Sequence, residues 1–216
     1  ILEKNHLTNK FRKIFSMFMN DKLALISIIF LLFMVFLAFF GPSLISESYT
    51  KMNLRLRNLE PFSFDHHFMY FFGADALGRS MIARLILATQ NTMFIAGSAV
   101  ILSMTLGGVL GLISGYYGGR TGNLIMRMAD IIMSFPSLLL AVIVLYMFDP
   151  GLLNLVIVLA FTRMPIYMRT ARAEVLEIRE RLFVSSAISM GASNSRIIFK
   201  HIAPLTIPTL ITIATL

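Results

Sequence analysis

Cysteine is missing from all 216 residues, which leaves out disulfides, thiolate metal centres and cysteine nucleophiles. Charge is scarce as well. Asp, Glu, Lys and Arg make up 14% of the chain, where a soluble domain carries roughly 25%. Apolar residues fill 57%, above the roughly 45–50% of soluble chains, and mean hydropathy is +0.79. These values exclude a water-soluble domain. They point to an all-α integral membrane protein, one domain whose core is made by helices packing in lipid. The net charge of +8 then sets topology and attracts anionic headgroups rather than nucleic acid.

Chemistry-bearing motifs are also absent. No carboxylate, His or Lys stands in the middle of an apolar run, and there are no paired catalytic carboxylates, HExxH helix or GxSxG elbow. His66-His67 lacks a third ligand, and adjacent side chains point apart, so the pair reads as solvated or interfacial rather than as a metal site. The glycines of 107–115 lie in an apolar run with no following Lys-Ser/Thr, so they are no phosphate loop. Catalytic and metal residues are therefore not expected. A carrier coupled to protons or sodium needs an ionisable or broken-helix site near the midplane. A chain without one must draw its energy from a partner.

What is present is a series of apolar runs. Residues 1–22 are basic and amphipathic, a cytoplasmic N-terminal segment. Residues 23–40 are uncharged and long enough for the ~30 Å hydrocarbon core at ~1.5 Å per residue. They form the first transmembrane helix, ended by Gly41-Pro42. Residues 41–91 read as an extracytoplasmic loop with an interfacial helix over 76–90, where Arg79 and Arg84 oppose Leu77, Met81 and Leu85. A second span covers 92–115, with Ser103, Gly107, Gly111 and Gly115 on one small face that admits a neighbouring helix. A short loop is expected over Tyr116–Met128. A third span follows over Ala129–Phe148, kinked by Pro136. Asp149-Pro150-Gly151 turns the chain into a fourth span, Leu152–Met168, whose Arg163 is read as snorkelling to the cytoplasmic end. The chain begins with Ile and stops inside an apolar run at Leu216, so it reads as a segment cut at both ends.

Between the fourth and fifth spans lies the one long charged region, residues 169–203. Apolar residues recur within it at helical spacing: Phe183, Ala187 and Met190 on one stripe, Val184 and Ile188 beside it. Gly191 interrupts the pattern, Ser193 is placed to cap a second short helix, and Pro204 closes that helix before the next apolar run. Helix, glycine turn and helix between two spans make an object suited to being gripped by another protein.

Phe183 to Pro204 resembles the EAA loop of binding-protein-dependent ABC importer permeases, Glu-Ala-Ala-x-x-x-Gly followed by Ile-x-Leu-Pro. Ser185, Ser186 and Ala187 stand at the first three positions, Gly191 at the glycine and Pro204 at the proline, with Ser185 replacing Glu and Ala203 replacing Leu. Gly191-Ala192-Ser193 and the following Arg196–Ile202 are similar to the peptide/nickel subfamily. Phe72-Gly73-Ala74-Asp75-Ala76-Leu77-Gly78-Arg79 is similar to the FGTDxxGRD signature of the C-type dipeptide and oligopeptide permeases, with Ser80 in place of Asp. Asp130–Ala141 resembles the third span of that group, and Pro165, Tyr167 and Arg169 the end of its fourth.

The resemblance implies a type I ABC importer permease fold, about five spans being visible of an expected six, with residues 92–216 as the permease core. It also implies a second, B-type permease, two ABC ATPase subunits that bind ATP and Mg, and an extracytoplasmic substrate-binding protein. This chain would bind no cofactor and hydrolyse nothing. Ser185, Ser186, Ala187, Gly191, Ala192, Ser193 and Pro204 would couple to the ATPases, and Gly107, Gly111 and Gly115 would pack helices. Asp75, Gly78, Arg79 and Pro136 would be gate residues or structural ones. The cargo would be di- or oligopeptides, with nickel and glutathione importers sharing the motifs. The different-class alternative is an ATPase-independent channel or secondary carrier.

Overall fold

The computed structural model describes residues 21–63, 66–147 and 151–215. The N-terminal segment 1–20 and the turn at Asp149-Pro150 therefore lie outside the described residues. Four described helices are long and apolar enough to cross a membrane, and a bent helix pair makes a fifth if it is one span. The chain is an all-α integral membrane protein that divides into two compact units, Ile1–Met93 and Phe94–Leu216.

In the first unit, α1 (Lys22–Phe40) starts where Asp21 Oδ1 accepts the amides of Leu23 (3.1 Å) and Ala24 (3.2 Å). It is apolar on every side, and Ala38 is its one buried residue. Such a helix suits lipid, not a water-facing stripe. Gly41 ends it, where a Cβ would collide with the Leu37 carbonyl and the Ile86 side chain. Short 3₁₀ turns follow at Pro42–Leu44, Glu47–Tyr49, Leu54–Leu56 and Phe68–Tyr70. Aromatic rings stabilise this irregular segment, Phe62 on Phe71 at 5.1 Å and Tyr49 on Tyr70 at 5.8 Å. Ser80 is fully buried; its hydroxyl donates to the Met69 carbonyl and accepts the Ala83 amide at 3.2 Å.

From there the structure differs from the sequence expectation. The interfacial helix over 76–90 and the span over 92–115 are one uninterrupted helix, α2 (Met81–Tyr117, 37 residues). At ~1.5 Å per residue it is about 55 Å long, well beyond the ~30 Å core. The residues at the expected boundary, Gln90-Asn91-Thr92, are polar, yet nothing there breaks a helix: no proline or glycine falls among them.

In the second unit, Gly118 and Gly119, both at positive φ (+58° and +51°), turn the chain directly from α2 into the next helix. The loop expected over Tyr116–Met128 is instead the start of α3 (Gly119–Met133). Pro136 does more than kink the third span: α3 and α4 (Ser137–Met147) meet at 81°. A proline disfavours helical backbone in the residue before it, here Phe135, so a clean break replaces a bend.

α5 (Leu152–Arg179) is the hub. It runs through Pro165 and past Met168, so the first third of the expected charged loop is helix. Met164 and Met168 pack with Ala129 and Ile132 of α3, and Arg169 Nη2 lies 2.7 Å from Asp130 Oδ1. Along the opposite contact the glycines of α2 meet α5 without side chains between them. A Cβ on Gly107 would stand 2.6 Å from the Met164 carbonyl, on Gly111 2.6 Å from the Ala171 Cβ, and on Gly115 2.6 Å from the Val175 Cβ. Small residues in register let two backbones close to van der Waals distance, the main source of helix association in lipid.

After α6 (Leu182–Ser189), the last helix α7 (Asn194–Ala214) begins well before Pro204, which was expected to close a short helix ahead of a new span. The reason is a π segment over Ile197–Ile202, where the Ala203 amide bonds to the Ile198 carbonyl. Pro204 has no amide to give to an i−4 carbonyl, and the wider i−5 turn accommodates that loss without ending the helix.

Candidate functional site

α6 and its flanks bring the sequence-singled residues together. The helix lacks a side-chain N-cap and is closed at its other end by Gly191 at φ +77°. The Gly191 amide donates to the Ile188 carbonyl (2.9 Å) and the Ala192 amide to the Ala187 carbonyl (3.1 Å). This pair of bonds is a Schellman turn, and Ala192 resting on the core beside Ala187 supplies its usual apolar contact. Ser193 then caps α7: its hydroxyl accepts the Arg196 amide at 3.4 Å.

The two faces of α6 differ. Val184 and Ala187 are buried among Leu112, Val175, Ile178, Ile197, Ile198 and Ile202, the largest apolar cluster described. Leu182 (85% exposed) and Met190 (81%) face outward, with Ile188 and Phe183 also exposed. Covering one such side chain is worth about 1.5–3 kcal/mol. The serines between them are self-satisfied. Ser185 and Ser186 hydroxyls each donate to the Leu182 carbonyl at 2.9 Å, and Ser189 donates to the Ser185 carbonyl at 3.0 Å. The position that is Glu in the EAA pattern therefore presents a capped hydroxyl and no charge. Pro204 stands apart from α6, on the far side of the π segment.

Polar ties that the sequence did not reveal hold the base of this site. Tyr116 at the end of α2 donates to Asn194 Oδ1 at the start of α7 (2.9 Å). Arg179 Nη1 reaches the carbonyls of Tyr116 (3.2 Å) and Gly115 (3.4 Å), closing the end of α5 onto the end of α2. Thr209 donates to Glu174 Oε1 at 3.0 Å, joining α7 to α5. Separations of 78, 63 and 35 residues carry no local pattern. Only Asp130–Arg169 had a signal, opposite charges near the ends of apolar runs.

The other singled residues sit elsewhere, in the first unit. Asp75 Oδ1 accepts the amides of Arg79 and Leu77, each at 2.9 Å, and Oδ2 meets the guanidiniums of Arg79 (2.7 Å) and Arg84 (2.8 Å). The Arg79 amide bond is the largest cause that brings the Asp75 pKa down to about 2, helped by the Arg79 side chain and the Leu77 amide, against desolvation. Gly78, at φ +74°, leaves no room for a Cβ beside the Asn53 carbonyl. His67 spends its Nδ1 on the Met69 amide (3.3 Å) and lays its ring 5.2 Å from Tyr49. Among the described residues no group of His, Cys, Asp or Glu is arranged to hold a metal.

With this geometry in view, the comparisons agree on one family. The family model for the binding-protein-dependent transport system inner membrane component matches residues 107–216. The N-terminal TM domain of oligopeptide transport permease C matches residues 10–61. The dipeptide transport system permease protein of Alkalihalophilus pseudofirmus is 36% identical over 205 residues, 95% of this chain and 66% of that protein. The oligopeptide transport system permease protein of Bacillus subtilis is 34% identical over 187 residues, 87% of this chain and 60% of that protein. A glutathione transport system permease protein of Pectobacterium atrosepticum is 30% identical over 207 residues, 94% of this chain and 66% of that protein. The chain thus spans less than two thirds of the length of these relatives. It belongs to the inner-membrane permease components of binding-protein-dependent transport systems, in the branch of the C-type dipeptide and oligopeptide permeases.

Proposed function

We propose that this chain forms half of the translocation pore of an ATP-driven importer of di- or oligopeptides, and that α6 is the element on which the ATPase subunits act. The other half of the pore is a B-type permease. Two ABC ATPases bind ATP and Mg beneath the pair, and an extracytoplasmic binding protein delivers cargo from outside. The complex sits in the bacterial cytoplasmic membrane with the N-terminus of this chain in the cytoplasm. The chain itself binds no cofactor and catalyses no reaction.

The observation that carries this reading is the two-faced α6. A water-exposed helix of eight residues gains nothing from Leu182 at its start and Met190 at its C-cap in solvent. It gains about 1.5–3 kcal/mol for each one covered. In this role Ser185, Ser186, Ala187, Gly191, Ala192, Ser193 and Pro204 form the coupling loop, Val184 and Ala187 anchoring it while the outward residues enter a groove on the ATPase. ATP-driven approach of the ATPases then pushes α6. The push passes through Val184 and Ala187 into α5 and α7, which share their core cluster.

A cysteine placed at Ser186 and another in the ATPase groove test the contact, because the chain brings no cysteine of its own. Crosslinking in the assembled complex is expected, and its absence rules the coupling role out. Cargo is tested by ATPase stimulation with dipeptides, longer peptides, glutathione and nickel. Glutathione import is the second reading, favoured by the Pectobacterium relative. Stimulation by glutathione or nickel alone would keep the pore and replace the cargo.

A further inference from the structure

Two cavities of the second unit meet at Arg163. One, of about 350 Å³, lies against the bend between α3 and α4 and includes Phe135, Ser137 and Thr162 in its wall. The other, of about 280 Å³, lies among α2, α5 and α7 and includes Ser103, Tyr167 and Ile213. Arg163 lines both, and every other lining residue is uncharged.

Its depth is unusual for a cation. Arg163 stands eleven residues into α5, about 17 Å along at ~1.5 Å per residue, near the middle of a ~30 Å core entered at Leu152. The sequence alone placed it near the cytoplasmic end because the helix was expected to stop at Met168. Since α5 continues to Arg179, the ~30 Å core entered at Leu152 ends about 13 Å, or two and a half turns, beyond Arg163. Among the described residues Arg163 makes no hydrogen bond or ion pair, whereas Arg169 has Asp130 and Arg179 has the carbonyls of Gly115 and Tyr116. A cation at such depth faces a bundle interior or a water-filled cavity and marks a pathway.

We propose that Arg163 receives a carboxylate of the cargo as it passes through the pore. A guanidinium binds a carboxylate bidentately, and it keeps its charge at any working pH. Of the four hydroxyls in the walls, Ser103 donates to the Val100 carbonyl (3.1 Å) and Thr162 to the Leu159 carbonyl (3.0 Å), which leaves those of Ser137 and Tyr167 for the cargo. The walls thus offer one charge, two uncommitted hydroxyls and otherwise apolar surface. That combination suits peptides, which share a C-terminal carboxylate and differ in their side chains. With no carboxylate in either wall, the site grips one end of the cargo and leaves the ammonium end free. This inference rests on the peptide reading above and deepens it.

The test uses the full-length chain reconstituted with its partner permease, ATPases and binding protein. Uptake of an alanine peptide is compared with that of its C-terminal amide in wild type, R163Q and R163K. Taking the variant-to-wild-type ratio for each peptide cancels whatever the binding protein prefers. R163Q is expected to lower uptake of the free acid about tenfold, the value of one charge-assisted pair, while R163K, which keeps the charge but loses the bidentate fork, falls between wild type and R163Q, and the amide ratio stays near one. If the binding protein rejects the amide, the contrast of R163Q with R163K on the free acid decides alone. Equal behaviour of the two variants, or an equal loss for both peptides, overturns the proposal. A wild-type complex that moves no peptide but responds to another cargo overturns the peptide reading itself, which a wild type that moves peptide with an indifferent R163Q does not.

Discussion

The hydroxyl of Tyr116 donates to Asn194 Oδ1 at 2.9 Å, tying the last turn of α2 to the first turn of α7. This bond lies at the base of the α6 turn, because Asn194 directly follows the Ser193 that caps α7. The end of α2 is held a second time, by Arg179 from α5. Three helices therefore converge where α6 is mounted.

Tyr116→Phe removes that hydroxyl and leaves the ring. The expected loss is about 0.5–1.5 kcal/mol of stability, one hydrogen bond, read as a fall of a few degrees in the Tm of the purified complex. If α6 transmits force through this base, the ratio of cargo-stimulated to basal ATPase activity should also fall. Asn194→Ala should do the same, and the double variant should cost little more than either alone. Fully additive losses would mean the two residues act separately.

The glycines of α2 allow a contrast within one helix. Gly111 has the Ala171 Cβ and the Met168 carbonyl 2.6 Å from where a Cβ would sit, while Gly97 has nothing within 4 Å. Gly111→Ala forces α2 and α5 apart, so assembled protein should be reduced and Tm lowered. Gly97→Ala should be neutral or slightly stabilising, since alanine in a helix is favoured over glycine by about 1 kcal/mol. Gel-filtration profiles and Tm of both variants check this, and equal behaviour would contradict the close approach.

These two helices also show what a sequence of this kind reveals. The four-residue spacing of Ser103, Gly107, Gly111 and Gly115 is a local pattern, and it marks the face that meets α5. Gly191 and Ser193 likewise act through their own backbone neighbours, so turn and cap were legible. Helix ends were not. α2 passes Asn91, α5 passes Arg169 and α7 passes Pro204 because hydrogen-bonded backbone tolerates polar residues and, with a π segment, a proline. Reading helix ends from polar, charged and proline residues therefore cut each helix short, and hid the depth of Arg163. Long-range polar ties such as Tyr116–Asn194 leave no periodic trace at all.

Asp75 yields a pH prediction. Its folded pKa is about 2 against an ordinary 3.8, so its carboxylate stabilises the turn fully above 3.8, and the contribution fades as pH falls toward 2. Between pH 5 and 8 the segment should show no titration from this group. Hydrogen exchange at the amides of Leu77 and Arg79, which donate to Asp75, should be slow and pH-normal in wild type across that range. In Asp75→Asn the acceptor is weaker and Arg79 and Arg84 lose their counter-charge, so both amides should exchange faster at every pH. Protection unchanged in the variant would rule out the carboxylate as the organiser of this turn.

Gly191 separates backbone strain from side-chain crowding. Its φ of +77° lies in the left-handed region, yet a Cβ there would meet nothing within 4 Å. Substitution therefore costs conformational energy alone, about 1–2 kcal/mol for an ordinary L-residue and less for asparagine, which tolerates this region. Gly191→Asn should be nearly silent, Gly191→Ala intermediate, and Gly191→Val worst because its β-branched side chain fits this backbone least. The strain is relieved by unwinding the Schellman turn, which would free α6 from α7 while Val184 and Ala187 still hold it to the core. Uptake and stimulated ATPase activity should then fall in the order Asn, Ala, Val, with basal ATPase activity and complex assembly kept. Loss of assembly in the same order would instead make Gly191 a folding requirement and remove the turn from the path by which α6 is moved.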